Sequence, residues 1–153
     1  MAVPSEFGVR ESDLTEMVVP NDLYAAKRSE EYIMRDLARC GYSGDVMFAI
    51  KLALEEALTN AVKHGNNNDA SKHLVVRYSV TPERTVIMVR DEGVGFAPAR
   101  VPDPTADENL ECPSGRGIML MHAYMTRVHF TKAGNEVWML KTNREGRPAQ
   151  SSA

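Results

Sequence analysis

Three short segments of the 153-residue chain carry side chains that could act on a phosphorylated ligand. In the first segment, Glu56, Asn60 and His64 are spaced at i, i+4 and i+8 and therefore share one stripe of a predicted helix. The amide oxygen of Asn60 suits Mg²⁺, which takes one or two protein oxygens when phosphates and water supply the rest. Glu56, one turn earlier, can accept a proton from an attacking hydroxyl group or water. The alternative is an amphipathic helix with solvated polar positions.

Two basic residues, Lys63 and His64, end the same predicted helix, where they could contact phosphate oxygens. The helix dipole favours cations at a helix C-terminus even without a ligand, so a solvated face is again the alternative. A zinc site formed by His64 and Glu56 is a weaker interpretation, because no second histidine stands at ligand spacing.

The second segment follows a predicted strand and contains Asp91, Gly93 and Gly95. An aspartate fixed at the end of a strand can accept a hydrogen bond from an exocyclic amine, such as the 6-amino group of adenine. Glycines at alternate positions allow close approach of the backbone to a ligand. A tight turn is the alternative. The segment is not a dinucleotide fingerprint, because Pro98 stands where the third glycine would be.

The third segment, Gly115, Arg116 and Gly117, lies at the start of a predicted helix. Backbone N–H groups at a helix N-terminus bind phosphate well, and Arg116 adds a positive charge. A capped helix with a flexible start is the alternative. The segment is not a Walker A loop, because the terminal Gly-Lys-Ser/Thr is missing.

Residues 97–114, between the second and third segments, have no apolar pattern and contain four of the eight prolines. A patternless loop of this length inside a compact domain is often a functional lid. The loop contains four acidic residues and one basic residue, a balance of −3, which equals the net charge of the whole chain. We therefore expect the phosphates of a ligand to be bound by Lys63, Arg116 and backbone amides rather than by the lid.

The elements that must position these segments follow the order strand, two helices, two strands, lid, helix, two strands. Apolar periodicity predicts the strands and helices at residues 14–19, 21–39, 43–64, 73–81, 85–90, 117–124, 127–132 and 136–142, and the patternless lid is residues 97–114. Strands that come largely in hairpins predict an α+β fold, a two-layer sandwich whose mixed, mostly antiparallel sheet is covered on one face by helices. We expect a single domain over residues 1–153 with an ordered core at 14–142, and a loose arm at 1–12.

The composition, 43% hydrophobic and 25% charged, is that of an ordinary globular domain. A net charge of −3 argues against binding nucleic acid through bulk charge. No apolar run approaches the roughly 18 residues that span a bilayer, and no signal peptide is visible at the N-terminus. Two cysteines, Cys40 and Cys112, form neither a disulfide framework nor a zinc site. We therefore expect a cytoplasmic protein that does not bind membranes or nucleic acid directly.

The order and separation of the three segments resemble those of the GHKL (Bergerat-fold) ATPase superfamily. The shared pattern is Glu-x-x-x-Asn on a helix, Asp-x-Gly-x-Gly after a strand, and a long loop ending in Gly-x-Gly before a helix. The resemblance spans about residues 14–141. The compact chain and the segment from Glu56 to Ala61 make it most similar to the anti-sigma-factor serine-protein kinases (the RsbW-like branch).

The resemblance implies ATP and Mg²⁺ as ligands, with Glu56 as the general base and Asn60 as the metal ligand. It implies that Asp91 forms a hydrogen bond with adenine. The other matched positions would shape the adenine pocket or contact the phosphates: Gly93, Gly95, Phe96, Lys63, Gly115, Arg116 and Gly117. Pro113 departs from the pattern, because some relatives carry an arginine at that place.

The function implied by the resemblance is that of an ATP-dependent serine-protein kinase and anti-sigma factor. Such a protein sequesters a sigma factor and phosphorylates a STAS-domain anti-anti-sigma factor, commonly as a homodimer. The partner surface would be the outer face of the first helix, with the charged residues Lys27, Arg28, Glu30, Glu31 and Arg35. The alternatives are a solvated helix face at that position, a nucleotide-gated binding module that transfers no phosphoryl group, and an interaction domain that binds no nucleotide.

Overall fold

A five-stranded sheet with three helices on one face forms the framework of the molecule. The computed structural model describes residues 3–93, 113–131 and 135–143, and for 113–118 it describes the main chain alone. Its strands are β1 (Thr15–Pro20), β2 (His73–Val80), β3 (Arg84–Arg90), β4 (Arg127–Phe130) and β5 (Glu136–Thr142). Its helices are α1 (Leu23–Arg39), α2 (Gly44–Thr59) and α3 (Pro113–Tyr124), and a π-helical turn (Asn60–Gly65) continues α2.

The strand order is β1-β2-β3-β5-β4, and all four pairings within the described residues are antiparallel. The predicted α+β sandwich with a mostly antiparallel sheet is therefore confirmed. Strand β3 lies at the centre of the order, with its last residue, Arg90, opposite Glu136 of β5. The chain that leaves β3 at Asp91 therefore emerges from the middle of the sheet.

The main core lies between the sheet and the helices. Alternate residues of the strands and one face of each helix supply its apolar side chains, as the periodicity predicts. Its fully buried members include Ile33, Leu37, Ile50, Leu54, Leu74, Val76, Ile87 and Met139. This core fixes α2 against the sheet, and α2 carries the first of the three candidate segments.

Side-chain caps and a glycine mark the ends of the helices. The Asp22 carboxylate accepts a hydrogen bond from the Ala25 N–H, and the Ser43 hydroxyl accepts one from the Val46 N–H. Gly41 follows α1 with a φ of 79°, the left-handed conformation that glycine adopts at little cost.

The N-terminal segment is not the loose arm that its polar composition suggests. Phe7 is fully buried in a second core on the face of the sheet opposite the helices, among Val86, Met88, Trp138 and Leu140. The Arg84 guanidinium donates to the Phe7 carbonyl oxygen at 3.0 Å, which ties the segment to β3. A lone aromatic residue in a polar stretch leaves no periodicity, so the sequence pattern did not reveal this second core.

The structure differs from three further predictions. Helix α3 begins at Pro113 rather than at residue 117, because proline has the φ and the missing N–H that suit a first helical position. Residues 113 and 114, predicted at the end of the lid, are therefore helical, and residues 97–112 of the predicted lid lie outside the described residues. Glu30, predicted on the outer face of α1, is 6% exposed and lies against α2.

No helix in the described ranges is both long and apolar enough to cross a membrane.

Candidate functional site

Glu56 and Asn60 lie on consecutive turns at the end of α2, as predicted. The N–H of Asn60 donates to the carbonyl oxygen of Glu56, so the two residues keep α-helical spacing. Both side chains are partly exposed. Neither side chain has a hydrogen bond or ion pair to the residues that the structure describes. The carboxylate and the amide oxygen are therefore available to a ligand.

The helix widens immediately after Asn60. The N–H of Asn66 donates to the carbonyl oxygen of Ala61 at 2.8 Å, an i to i+5 hydrogen bond that defines a π-helical turn. Such turns are frequent at functional sites. His64 lies within this turn, where the α-helical spacing assumed for the predicted stripe no longer holds. Its side chain is exposed, as is that of Lys63.

Asp91 directly follows β3, and its carboxylate is oriented by its own turn. Its Oδ1 accepts a hydrogen bond from the Gly93 N–H at 2.8 Å. Its Oδ2 has no hydrogen-bond partner within the described part of the chain. Burial raises the pKa of Asp91, while the Gly93 N–H and the charge of Lys72 lower it. One carboxylate oxygen is thus fixed and the other remains free to accept from a ligand.

Main-chain contacts hold Asp91 in place. Its N–H donates to the Asn135 carbonyl oxygen at 2.9 Å, and its carbonyl oxygen accepts from Asn135 Nδ2 at 3.1 Å. These two hydrogen bonds fix the end of β3 to the segment that enters β5. The position of the carboxylate is therefore set by the sheet rather than by a free loop.

Gly65 brings the end of the π-helical turn against Asp91. A Cβ at Gly65 would overlap the Asp91 carboxylate, and a Cβ at Gly93 would overlap the carbonyl oxygen of Gly65. Neither glycine has a positive φ. The absence of a side chain at Gly65 is therefore required for close approach, and this contact joins the first candidate segment to the second.

Helix α3 brings the third segment to the same region. It packs against α2 and against the π-helical turn. The main chain of Gly115, Arg116 and Gly117 lies within its first five residues. Pro113 is the first helical residue, so the Gly115 N–H lies in the first turn, where N–H groups have no acceptor within the helix and are available to an anion. Gly95 and Phe96 lie outside the described residues, so their predicted roles stay predictions.

The fit of the site to Mg²⁺ depends on Asn60. No cluster of three or more histidine, cysteine, aspartate or glutamate side chains suited to a metal occurs among the described residues. An all-protein metal cage is therefore not offered by that part of the chain. One free amide oxygen fits Mg²⁺, which commonly keeps its waters and takes its remaining ligands from substrate phosphates.

The sequence pattern did not reveal that two buried asparagines connect these elements. Asn66 is fully buried and Asn21 is 6% exposed, and Asn66 Nδ2 donates to Asn21 Oδ1 at 2.9 Å. Asn66 stands among polar residues that read as a turn. Its position directly after Gly65 is the signal that could have drawn attention to Asn66. Spacing alone, however, does not distinguish a buried asparagine from an exposed one.

Comparison with known proteins identifies the family. Residues 19–141 match the model of the family described as the histidine kinase-like ATPase domain. The serine-protein kinase RsbW of Bacillus licheniformis is 34% identical over 119 residues, 71% of this chain and 72% of the relative. The anti-sigma F factor of Geobacillus thermodenitrificans is 38% identical over 87 residues, 55% of this chain and 59% of the relative.

Two further matches are also partial. The serine-protein kinase RsbW of Bacillus subtilis is 32% identical over 99 residues, so the match spans 61% of that relative's length. A Mycobacterium tuberculosis structure of RsbU and RsbW domains has a TM-score of 0.55 at 18% identity, covering 84% of this chain and 31% of that one. The structural match supports the fold. The chain therefore belongs to the histidine kinase-like ATPase domain family, within the GHKL superfamily and in the branch of the RsbW serine-protein kinases and anti-sigma factors.

Proposed function

We propose that this protein is an ATP-dependent serine-protein kinase and anti-sigma factor. One observation carries the proposal: the carboxylate of Asp91, with one oxygen engaged and one free, lies on Gly65 at the end of the helix that bears Glu56 and Asn60. Asp91, which would recognise the base, and Asn60, the candidate metal ligand, are thus held by two segments in direct contact. The family match and the names of the relatives support this assignment.

Adenine recognition is assigned to Asp91. Its free Oδ2 can accept a hydrogen bond from the 6-amino group of adenine, and a hydrogen bond to a charged group contributes about 1.5–3 kcal/mol. Gly93 lies against the carbonyl oxygen of Gly65, and the resemblance assigns Gly93, Gly95 and Phe96 to the adenine pocket. The same carboxylate would repel a base that presents a carbonyl oxygen at that position, which gives selectivity for adenine.

Phosphate binding is assigned to Asn60 through Mg²⁺, to the amides near Gly115 and Gly117, and to the cations Lys63 and Arg116. Magnesium supplies neutralisation of the charge that develops on the phosphates. The first N–H groups of α3 add partial positive charge without a counter-charge from the protein. With phosphate binding assigned to these groups, the acidic segment at 97–114 has no role in attracting phosphate.

Phosphoryl transfer needs mainly positioning and charge neutralisation, so few protein groups suffice. Glu56 accepts the proton of the attacking serine hydroxyl as that oxygen bonds to the γ-phosphorus. ADP leaves in the same step. General-base catalysis of this kind contributes about 10²–10⁴-fold.

The partners proposed are a sigma factor, which the protein sequesters, and a STAS-domain anti-anti-sigma factor, which it phosphorylates on serine. A homodimer in the cytoplasm is proposed with them. The outer face of α1 presents exposed side chains suited to protein contact, among them Tyr24 and Tyr32 at 75% and 48% exposure. Lys27, Arg28, Glu31 and Arg35 are exposed on the same helix.

A transfer assay tests the kinase proposal. The wild-type protein is incubated with Mg²⁺, ATP labelled on the γ-phosphate, and a STAS-domain protein encoded in the same genome. The proposal predicts label on a serine of the STAS-domain protein, and none when that serine is replaced by alanine. ATP binding without any transfer would instead establish the alternative, a nucleotide-gated binding module.

A further inference from the structure

The side chain of Asn66 uses all of its polar groups near the site. It is 0% exposed, and its Nδ2 donates to Asn21 Oδ1 at 2.9 Å and to the His73 carbonyl oxygen at 3.0 Å. Its Oδ1 accepts from the Glu92 N–H at 2.7 Å. Both donors and the acceptor of the amide are therefore used, and the amide has one orientation that satisfies all three contacts.

The contact with Glu92 connects Asn66 to the turn that fixes the Asp91 carboxylate. Glu92 lies between Asp91 and Gly93, and the Gly93 N–H is the donor that fixes Asp91 Oδ1. Asn66 itself follows Gly65, on which the Asp91 carboxylate lies. One side chain thus fixes the turn from Asp91 to Gly93 against the end of the helix that carries Asn60.

Asn21 extends the support to a third element. Its Nδ2 donates to the Asp69 carbonyl oxygen at 3.0 Å and lies 3.5 Å from that of Val62. Its N–H donates to the Lys72 carbonyl oxygen at 3.1 Å. Asn21 is 6% exposed, so these contacts are shielded from competing water. The pair Asn21–Asn66 therefore ties the start of α1, the π-helical turn and the start of β2 to the turn after β3.

We propose that Asn66 is a positioning residue for adenine selectivity: by holding the Glu92 N–H it keeps Asp91 Oδ2 directed at the base. Asn66 does not touch the nucleotide and acts through Asp91. The inference rests on the proposed function, because it assumes that Asp91 recognises adenine. A hydrogen bond weakens steeply as its angle departs from linear, so a small rotation of the turn is enough to lose selectivity.

The test compares dissociation constants of Mg-ATP and Mg-ITP, measured by calorimetry for the wild type and for Asn66→Ala, Asn21→Ala and Asn67→Gly. ITP carries a carbonyl oxygen in place of the 6-amino group. The wild type is expected to prefer ATP by about tenfold or more. Asn66→Ala is expected to reduce that ratio by about threefold or more, and Asn21→Ala to reduce it less.

Asn67→Gly is the matched control, because Asn67 is exposed and has a φ of 56°, which glycine also adopts. It should leave the ratio unchanged. If Asn66→Ala cannot be obtained folded, Asn21→Ala decides: a reduced preference for ATP supports the inference, and an unchanged preference overturns it.

A loss of thermal stability with an unchanged ITP-to-ATP ratio would overturn the inference and leave Asn66 a purely structural residue. A wild type that binds both nucleotides equally would reject the role of Asp91 and this inference with it, but not ATP binding. A wild type that binds neither nucleotide would reject the proposed function itself. The three failures are therefore distinguishable.

Discussion

The carboxylate of Asp91 lies directly on the main chain of Gly65, so that a side-chain carbon at position 65 would overlap both carboxylate oxygens. This contact joins the end of the helix that bears Glu56 and Asn60 to the end of the central strand β3. Gly93 lies against the carbonyl oxygen of Gly65 in the same way. The geometry of the candidate site therefore depends on the absence of side chains at positions 65 and 93.

Replacement of Gly65 by alanine should disrupt this contact. The aspartate side chain is too short to move aside, so the π-helical turn or the end of β3 must shift. We expect a loss of about 1–3 kcal/mol in the free energy of unfolding, together with weaker ATP binding. Urea denaturation and calorimetry with Mg-ATP measure the two effects.

The matched control is Gly44→Ala, at the first residue of α2, where nothing lies within 4 Å of an added Cβ. Alanine there should be neutral or stabilise by up to about 1 kcal/mol. Equal effects of the two substitutions would contradict the close-contact explanation.

Asp91→Asn should change which base is preferred. An asparagine at this position can satisfy either the Gly93 N–H or an adenine amino group, but its amide nitrogen then faces the other donor. We expect ATP to bind about tenfold or more weakly, and Mg-ITP, which offers a carbonyl oxygen, to lose less or to gain affinity. An ATP affinity equal to that of the wild type would reject the assignment of Asp91.

Glu56→Gln should separate catalysis from binding. The amide cannot accept the proton, so phosphorylation of the STAS-domain protein should fall by about 10²–10⁴-fold while the dissociation constant for Mg-ATP stays nearly the same. Glu55→Gln is the control, because Glu55 forms ion pairs with Lys51 and Lys27 instead of sharing the stripe of Asn60. Full activity of Glu56→Gln would show that another group is the base.

Glu30 should make stability depend on pH. Burial, and then the charge of Glu55, raise the pKa of Glu30 from an ordinary 4.5 to about 7, against the opposing charges of Lys51 and Lys27. Between these values the folded state keeps a proton that the unfolded state has lost. The free energy of unfolding should therefore fall as pH rises from about 4.5 to 7, by at most about 1.4 kcal/mol per pH unit.

Urea denaturation across that pH range, compared between wild type and Glu30→Gln, isolates this contribution. The glutamine variant should lack the downward slope. Glu31→Gln, which changes the exposed neighbouring residue, should keep it. Parallel pH profiles for wild type and Glu30→Gln would show that Glu30 ionises normally.

Phe7→Ala should destabilise the fold without changing the nucleotide site. Phe7 is fully buried on the sheet face opposite the helices, next to Trp138 and Met88. Loss of a buried phenylalanine costs about 3–5 kcal/mol. Chemical denaturation should show this loss, and the dissociation constant for Mg-ATP at low temperature should not change. Tyr24→Ala, at a side chain that is 75% exposed, serves as the control for stability.

The sequence predicted the sheet and the helices well, because most of them bury one face and so impose a period. Strand β5 was predicted with its observed bounds, Glu136–Thr142, and α1 ends before Gly41 as its glycine indicates. The types and order of the residues at the candidate site were also readable, because Glu56, Asn60 and Asp91 combine unusual spacing with chemistry suited to a nucleotide.

The features that the sequence did not reveal depend on contacts between segments that are distant along the chain. The π-helical turn ends at Gly65, which packs on Asp91, a residue 26 positions away, and no local propensity records that contact. The buried pair Asn21–Asn66 has polar side chains that read as a cap and a turn. Glu30 is charged and was placed on the outer face of α1, although it lies beside Lys51 of α2.

Calorimetric titration with Mg-ATP of the wild type and of Asn60→Ala tests the central claim most directly. The claim predicts one ATP per chain for the wild type. It also predicts weaker binding of Mg-ATP by Asn60→Ala, with little change in the binding of ATP measured in EDTA, because Asn60 acts through the metal. No measurable binding by folded wild-type protein would contradict the claim that this site holds a nucleotide.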